Sequence, residues 1–442
     1  MRAIPMVLIA AALVASSPGA AALPGIVQKP SIDVYAEPRL DATKVATLKR
    51  DTEVNVTAQQ GLWYQLQMPG GTPGYVRVND LRVAYAGAEG GEANLRVLMG
   101  GKAGEGRVTE TAGVRGIDES DLKSAAFDQA QLTAMTGNRV DDAAATAYAS
   151  EQGWQATSVE YAGEAKPGKS TGKSPSEASA QQSTAQVASS VLGSLGSGLG
   201  SLFGGAAKVA PKSEEELSAE ELALGPQIAG RILGARPLWN DAGAQQRVNR
   251  VGRWVASQTS RPELPWTFGV IDTPELNAFA APGGYILVTR GLYELLSSDG
   301  EVAAVLGHEI SHCVQRDHYN VIRKQEMASM GKDAVSSKIE VGGGSVAETY
   351  ARQYVEEHGA TVMLASLDRD AEYRSDKAAE IYLARSGMNP LALYAVLQKM
   401  AALGSKSASL AALYKTHPPL DARMDRIDKR NYEGLTAYTL RD

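Results

Sequence analysis

The sequence predicts a multidomain chain: an N-terminal all-β barrel, a low-complexity linker and a C-terminal, mainly helical α+β domain. Three observations predict it. Short alternating segments broken by Gly and Pro fill residues 26–85. Residues 166–212 collapse to Ser, Gly, Ala, Lys and Gln. From 213 to 433, stretches with apolar residues at helical spacing enclose two apolar runs, Trp266–Ile271 and Tyr285–Thr289. At 442 residues the chain has room for two or three domains, and a net charge of −6 gives no sign of a nucleic-acid partner. Forty-five Gly against four Phe point to a long unpacked segment.

At the N-terminus, Arg2 precedes the apolar run Ile4–Ala15, then Ser16-Ser17-Pro18-Gly19 and Ala20-Ala21-Ala22. A basic start, a short apolar run and an A-x-A site predict a secretory signal over residues 1–22, cut after Ala22. The run is too short to span a bilayer. No Cys lies near the cut, so no lipid anchor is expected, and the single cysteine, Cys313, leaves no internal disulfide. Export without disulfides favours the periplasm or another bacterial envelope compartment over a eukaryotic secretory route.

Within residues 26–85, Val34–Ala36, Lys44–Leu48, Glu53–Thr57, Trp63–Gln67 and Gly74–Arg77 read as short strands. That density of short strands predicts a small barrel. The order Val34-Tyr35-Ala36-Glu37-Pro38, Val54-Asn55-Val56, Gly61-Leu62-Trp63-Tyr64-Gln65-Leu66 and Gly74-Tyr75-Val76 resembles bacterial SH3-like domains. The resemblance implies either docking to a cell-wall or membrane-protein partner or a plain spacer. Trp63 and Tyr75 read as core, not as a ligand platform.

Residues 86–165 show no chemistry; Asp121–Thr136 and Asp141–Gln152 read as helices and Thr157–Tyr161 as a strand. In the linker, Val187–Ala207 is uncharged and places Gly196, Gly200 and Gly204 four apart, yet its Ser and Gly content favours disorder over a membrane-contacting helix. Two capping-box patterns, Ser213-x-x-Glu216 and Ser218-x-x-Glu221, open the last domain. Helices are expected through Arg236, over Asp241–Thr259 and over Gly291–Ser297, followed by residues 434–442 as a tail.

The chemistry gathers at His308-Glu309-Ile310-Ser311-His312, an H-E-x-x-H. With five His in the chain, chance gives this pattern below about one time in a hundred. On a helix, His308 and His312 lie one turn apart and present imidazoles to one ion, with Glu309 about 100° round, where a general base must stand. Val302, Leu306, Ile310 and Cys313 supply the helical apolar spacing, and Cys313 reads as a core thiol.

A catalytic zinc takes three protein ligands. A third histidine close by is excluded by the spacing, and His318 faces away for as long as the helix continues. Arg369–Arg385 reads as a second helix on which Glu372, Asp376 and Glu380 share a face. One of these carboxylates can ligate while another accepts the outer N–H of an imidazole; spacing does not say which does which.

Further motifs accompany these: Asn277-Ala278-Phe279-Ala280 with Pro282-Gly283-Gly284, Gly291-Leu292, Glu301 to His312, Glu372-Tyr373-Arg374-Ser375-Asp376, and Thr416-His417-Pro418-Pro419. Together, over about Ser213–Tyr432, they resemble the HtpX/BepA/LoiP-type zinc metalloproteases, relatives of the CAAX-prenyl endopeptidases. The resemblance implies a gluzincin-type zincin fold and one Zn²⁺ held by His308, His312 and Glu372. It also implies Glu309 as base, Asp376 as the partner behind a ligand, and Glu301 as a further support. His417 and Arg423 resemble residues that approach the zinc from the opposite side, either to hold an oxyanion or, for His417, to cap the ion in a latent state.

The implied activity is an endopeptidase acting on unfolded or misassembled envelope proteins. No apolar run in Tyr285–Asp442 is long enough to span a bilayer. Gln325–Leu367, with its Gly342-Gly343-Gly344 break, reads as a mobile lid, and Tyr285–Thr289 as an edge strand that pairs with substrate. Two other classes compete. A chaperone or binding protein with a vestigial zinc site has no need of Glu309, and a peptidoglycan-directed hydrolase would use the barrel for targeting.

Overall fold

The structure, a computed structural model, describes residues 22–83, 85, 90–99, 117–164, 214–330 and 346–441. The expected signal segment, the linker 166–212 with its glycine-rich stretch, and residues 331–345 of the expected lid lie outside the described residues.

The first sheet holds seven antiparallel strands: β1 (Leu23–Val27), β2 (Ser31–Tyr35), β3 (Lys44–Lys49), β4 (Glu53–Gln60), β5 (Trp63–Gln67), β6 (Pro73–Arg77) and β7 (Leu81–Arg82). Their order is β3-β2-β6-β5-β4-β1-β7. Alternation drives burial: Leu23 and Val27 of β1, Ile32 and Val34 of β2, and Val56 of β4 all turn inward. Sequence reasoning missed β1 and β7, because β1 contains Pro and Gly and β7 is two residues long. Trp63 is core, packed edge-to-face on Tyr35 at 5.6 Å with the Arg77 guanidinium 5.0 Å above it.

Helix α1 (Glu92–Leu98) follows, then α2 (Glu119–Ser124), α3 (Gln129–Gly137) and α4 (Asp142–Glu151). The expected single helix over 121–136 is broken because Asp128 caps a new one, its carboxylate accepting from Gln131 N–H. Thr157–Tyr161 forms no strand; Thr157 N–H donates instead to Arg385 C=O.

The last domain opens with α5 (Glu214–Ala235) and α6 (Ala242–Ala256). Ser218 lies inside α5 and caps nothing; its hydroxyl accepts from Arg316, while Glu221 binds Arg261 and Arg316. A three-stranded sheet comes next, ordered β8-β10-β9, with β8 (Thr267–Ile271) parallel to β10 (Tyr285–Thr289) and β9 (Ala278–Ala281) antiparallel to it. Strand β10 is therefore central, and β8 and β9 are the outer strands, β9 being the one that lines the cleft. The expectation that Tyr285–Thr289 forms the edge is corrected here: β10 is buried along its whole length because both its sides are paired.

Helices α7 (Arg290–Leu295), α8 (Asp299–Val314), α9 (Asp317–Met330), α10 (Val346–His358), α11 (Arg369–Arg385), α12 (Leu391–Ala402), α13 (Leu413–Thr416) and α14 (Leu420–Arg430) complete the domain. Central α8 is buried from Glu301 to Val314 and packs on α6, α11, α12 and β9. At its crossing with α11 stands Gly307, where a Cβ would lie 3.4 Å from Ala379 Cα. That close approach brings the carboxylates of α11 up to the imidazoles of α8. No helix among the described residues is long and apolar enough to cross a membrane.

Candidate active site

His308, His312, Glu372 and His417 converge, each offering a ligand atom, all within 4.8 Å of one another. His308 Nε2 stands 3.5 Å from Glu372 Oε2, and His312 Nε2 stands 3.6 Å from Glu372 Oε1. His417 Nε2 comes in at 3.6 Å from Glu372 Oε2. These side chains are almost wholly buried.

The outer nitrogens explain the orientation. His308 Nδ1–H donates to Asp376 Oδ1 at 3.0 Å, and His312 Nδ1–H donates to Asp317 Oδ2 at 2.9 Å. Each aspartate is held by an arginine: Arg423 forks onto Asp376 at 3.0 and 2.5 Å, and Arg374 reaches Asp317 at 2.6 Å. With both Nδ1 atoms protonated, the two Nε2 lone pairs face each other at 3.2 Å. Such a contact is unfavourable unless a cation lies between them. Glu372 Oε2 is buried with no hydrogen-bond partner, which makes it a second lone pair in need of one. The donor set therefore fits a divalent cation with nitrogen and oxygen ligands.

Electrostatics point the same way. Burial alone would raise the Glu372 carboxyl, but His417, His308 and His312 outweigh it and hold it well below the usual range. Burial and Arg423 act to lower His308, yet Asp376 and Glu372 win and raise it to about 9. The centre thus favours positive charge. His417 is lowered to about 3 by burial, so it is a neutral imidazole. The Thr416 hydroxyl donates to Leu413 C=O at 3.2 Å and accepts from His417 Nδ1–H at 2.8 Å, which leaves the Nε2 lone pair facing the centre. Glu309 lines the same cleft, its carboxyl raised by burial.

Two residues from the sequence reading stand elsewhere. Arg423 does not face the cleft as an oxyanion holder; it lies behind His308, its guanidinium 3.3 Å from Nδ1 and bound to Asp376. Its place on α14, whose inner side packs on α11, fixes that direction. Glu301 touches neither imidazole. At the N-terminal end of α8, its carboxylate binds Lys399 Nζ at 2.7 Å and accepts from Ser297 N–H at 2.7 Å.

Sequence reasoning gave Asp317 and Arg374 no role and set His318 aside as facing away. Helix α8 ends at Val314, and Arg316 turns left-handed at φ 58°. That turn carries Asp317 back to His312 and swings His318 into the cleft beside Ala280. The left-handed turn is carried by a residue other than Gly, so nothing in the sequence announces it; Arg316 is held there by Glu221 at 2.8 Å and Ser218 at 2.9 Å. Burial, with His312 adding, lowers His318 to about 4. Cys313 is a buried core thiol whose Sγ lies 3.3 Å from Ala281 C=O. The cleft walls include Ala278, Phe279 and Ala280 of the edge strand and Met363, Ala365 and Leu367 from the segment after α10.

A buried H-E-x-x-H helix crossed by a carboxylate-bearing helix, beside a cleft lined by an outer strand of the sheet, defines a metalloprotease-type domain. Residues 242–431 match Peptidase family M48, and residues 30–82 match the bacterial SH3 domain family. The chain thus carries a peptidase family M48 domain together with a bacterial SH3 domain. It is 26% identical over 220 residues to the beta-barrel assembly-enhancing protease of Escherichia coli (strain K12), covering 48% of this chain and 43% of that one. Metalloprotease LoiP of the same strain is 26% identical over 172 residues, 39% of this chain and 65% of that one. The mitochondrial metalloendopeptidase OMA1 of Schizosaccharomyces pombe is 24% identical over 182 residues, 41% and 51% respectively. The chain spans less than half the length of the beta-barrel assembly-enhancing protease.

Proposed function

We propose that the chain is a zinc-dependent endopeptidase of the bacterial cell envelope that cuts unfolded or misassembled proteins. The observation that carries this reading is the meeting of His308, His312 and Glu372 with buried Glu309 in one cleft walled by an edge strand. Zn²⁺ held by those three residues would polarise a scissile carbonyl and lower the pKa of water towards about 7. The chain's own groups do the rest. Asp376 and Asp317 keep protons on the two Nδ1 atoms, so both Nε2 lone pairs stay aimed inward. Glu309 takes a proton from the attacking water and returns it to the leaving amine; its raised pKa suits both transfers. An extended peptide laid along β9, an outer strand that lines the cleft, would be read by its main chain more than by its side chains, which suits unfolded substrates. The likeness to a beta-barrel assembly-enhancing protease supports that substrate class.

A second reading concerns His417. Its Nε2, 3.6 Å from Glu372, stands where a fourth ligand would exclude water and keep the enzyme latent. His417→Ala then raises turnover; a role in holding an oxyanion predicts the opposite.

The test is cleavage of casein and of purified cell wall by the mature chain, with Glu309→Gln as control. Casein is expected to be cut and cell wall spared, with the variant slower by roughly 10²- to 10⁴-fold. Casein cleavage that survives Glu309→Gln, or cell-wall hydrolysis alone, rejects the reading.

A further inference from the structure

Helix α14 is held from both sides. On its outer side Asp421, Asp425 and Asp428 recur at i, i+4 and i+7 and form one stripe. Like charges at that spacing repel unless a cation lies across them. Arg82, the last residue of β7, supplies it: Nη2 lies 2.9 Å from Asp425 and 2.6 Å from Asp428, and Nη1 lies 3.9 Å from Asp421. Its Nε donates to the Tyr394 hydroxyl at 3.3 Å, which in turn donates to Asp428 at 3.0 Å. The inner side of α14 carries Arg423, bound to Asp376 behind His308. Just before the helix come His417 and two prolines, whose fixed φ ties the imidazole to the helix that follows.

Neighbouring α12 repeats the plan. Gln398 is fully buried against the barrel, donating to Val78 and Leu81 carbonyls at 3.1 and 2.6 Å and accepting from Val83 N–H at 3.0 Å. The next residue, Lys399, binds Glu301 at the head of α8. The barrel therefore grips two helices: α14, whose inner side carries Arg423, and α12, whose Lys399 holds the head of the histidine-bearing helix.

We propose that Arg82 of the SH3-like barrel is a positioning residue for the metal centre: by gripping α14 it fixes Arg423 behind His308 and His417 beside Glu372. The proposal rests on the metalloprotease reading above. It makes the barrel a structural part of the site, where a docking module or a plain spacer was expected.

The test uses the full chain as wild type, Arg82→Gln, Arg82→Lys and, as a control in the barrel core, Val56→Ala. Zinc affinity is read by competition with a chromophoric chelator, and ligand geometry by the visible absorption of the cobalt(II)-substituted protein. Arg82→Gln is expected to raise the zinc dissociation constant about threefold to tenfold and to shift the cobalt spectrum, below the roughly 10- to 100-fold seen when a ligand's own partner is removed. Arg82→Lys recovers most of both. Val56→Ala lowers Tm and leaves both at wild-type values. A folded Arg82→Gln with affinity within twofold of wild type and an unchanged spectrum overturns the proposal, as does Val56→Ala moving the readings equally. Should Arg82→Gln fail to fold, Asp425→Asn combined with Asp428→Asn cuts the same contact from the other side and is judged by the same limits. Wild type that binds no zinc removes the metalloprotease reading itself, and this proposal with it.

Discussion

The two arginine–aspartate clusters flanking α14 have like chemistry in unlike surroundings. Inside, Arg423 and Asp376 have side chains only 4% and 1% exposed. Outside, Arg82 is 5% exposed, but its partners Asp421, Asp425 and Asp428 are 68%, 72% and 28% exposed. The inner pair has given up water on both sides, so the Arg423 charge depends on Asp376, and Asp376 on Arg423 and His308. In the outer cluster one cation lies under several carboxylates that water still reaches, so no single one of them is indispensable. The inner pair sets geometry at the metal centre, and the outer cluster fastens one domain to another.

The largest expected effect lies inside. Asp376→Ala strands the Arg423 charge and leaves His308 Nδ1 without its acceptor, so urea unfolding should show a loss of about 3–5 kcal/mol. A loss no bigger than that of Asp425→Ala would break the comparison.

Glu380 sharpens it. One turn beyond Asp376, it pairs with Arg430 at 2.8 Å, yet burial raises its carboxyl from 4.5 to about 7. An arginine partner thus does not guarantee an ionised carboxylate. Because the folded value is the higher one, the fold takes up the proton. The contribution is fully present below about 4.5 and is lost as pH rises through 7. Denaturation at pH 5 and pH 7.5 should show wild type losing on the order of 2–3 kcal/mol more than Glu380→Gln over that window. Parallel curves would mean that Glu380 is ionised throughout.

Asp317→Asn tests the partner of the second imidazole. It keeps an acceptor oxygen for His312 but drops the charge that Arg374 holds, and about a tenfold rise in the zinc dissociation constant is expected by chelator competition. The smallest effect lies outside. Asp425→Ala leaves Arg82 with Asp428 and Asp421, so a change under about 0.5 kcal/mol is expected, shrinking further in high salt.

Much of the centre was legible from spacing. His308 and His312 at i, i+4 on an unbroken apolar helix could hardly do other than share a face, and Glu372 with Asp376 repeats that geometry on α11. What spacing left open was which of the three α11 carboxylates meets the imidazoles. The Gly307–Ala379 crossing brings Glu372 to the Nε2 atoms and Asp376 to Nδ1, and leaves Glu380 to Arg430. The direction of Arg423 and the choice of Tyr285–Thr289 as the edge were misread, and the Lys399 partner of Glu301 was not foreseen. Each depends on what packs alongside, and a one-dimensional pattern does not hold that information.

By itself the sequence determined the periodic things: the barrel's alternation, the helix that carries the two histidines, and the helix that carries the carboxylates. Local backbone geometry imposes periods of 2 and 3.6, and a chain cannot hide them. Only the tertiary structure decided the pairings across distance. Arg316 turned left-handed and brought Asp317 and His318 to the cleft, and Arg82 met a stripe of aspartates some 340 residues away along the chain. Long side chains choose among partners by burial and charge, and those exist only once the layers have closed.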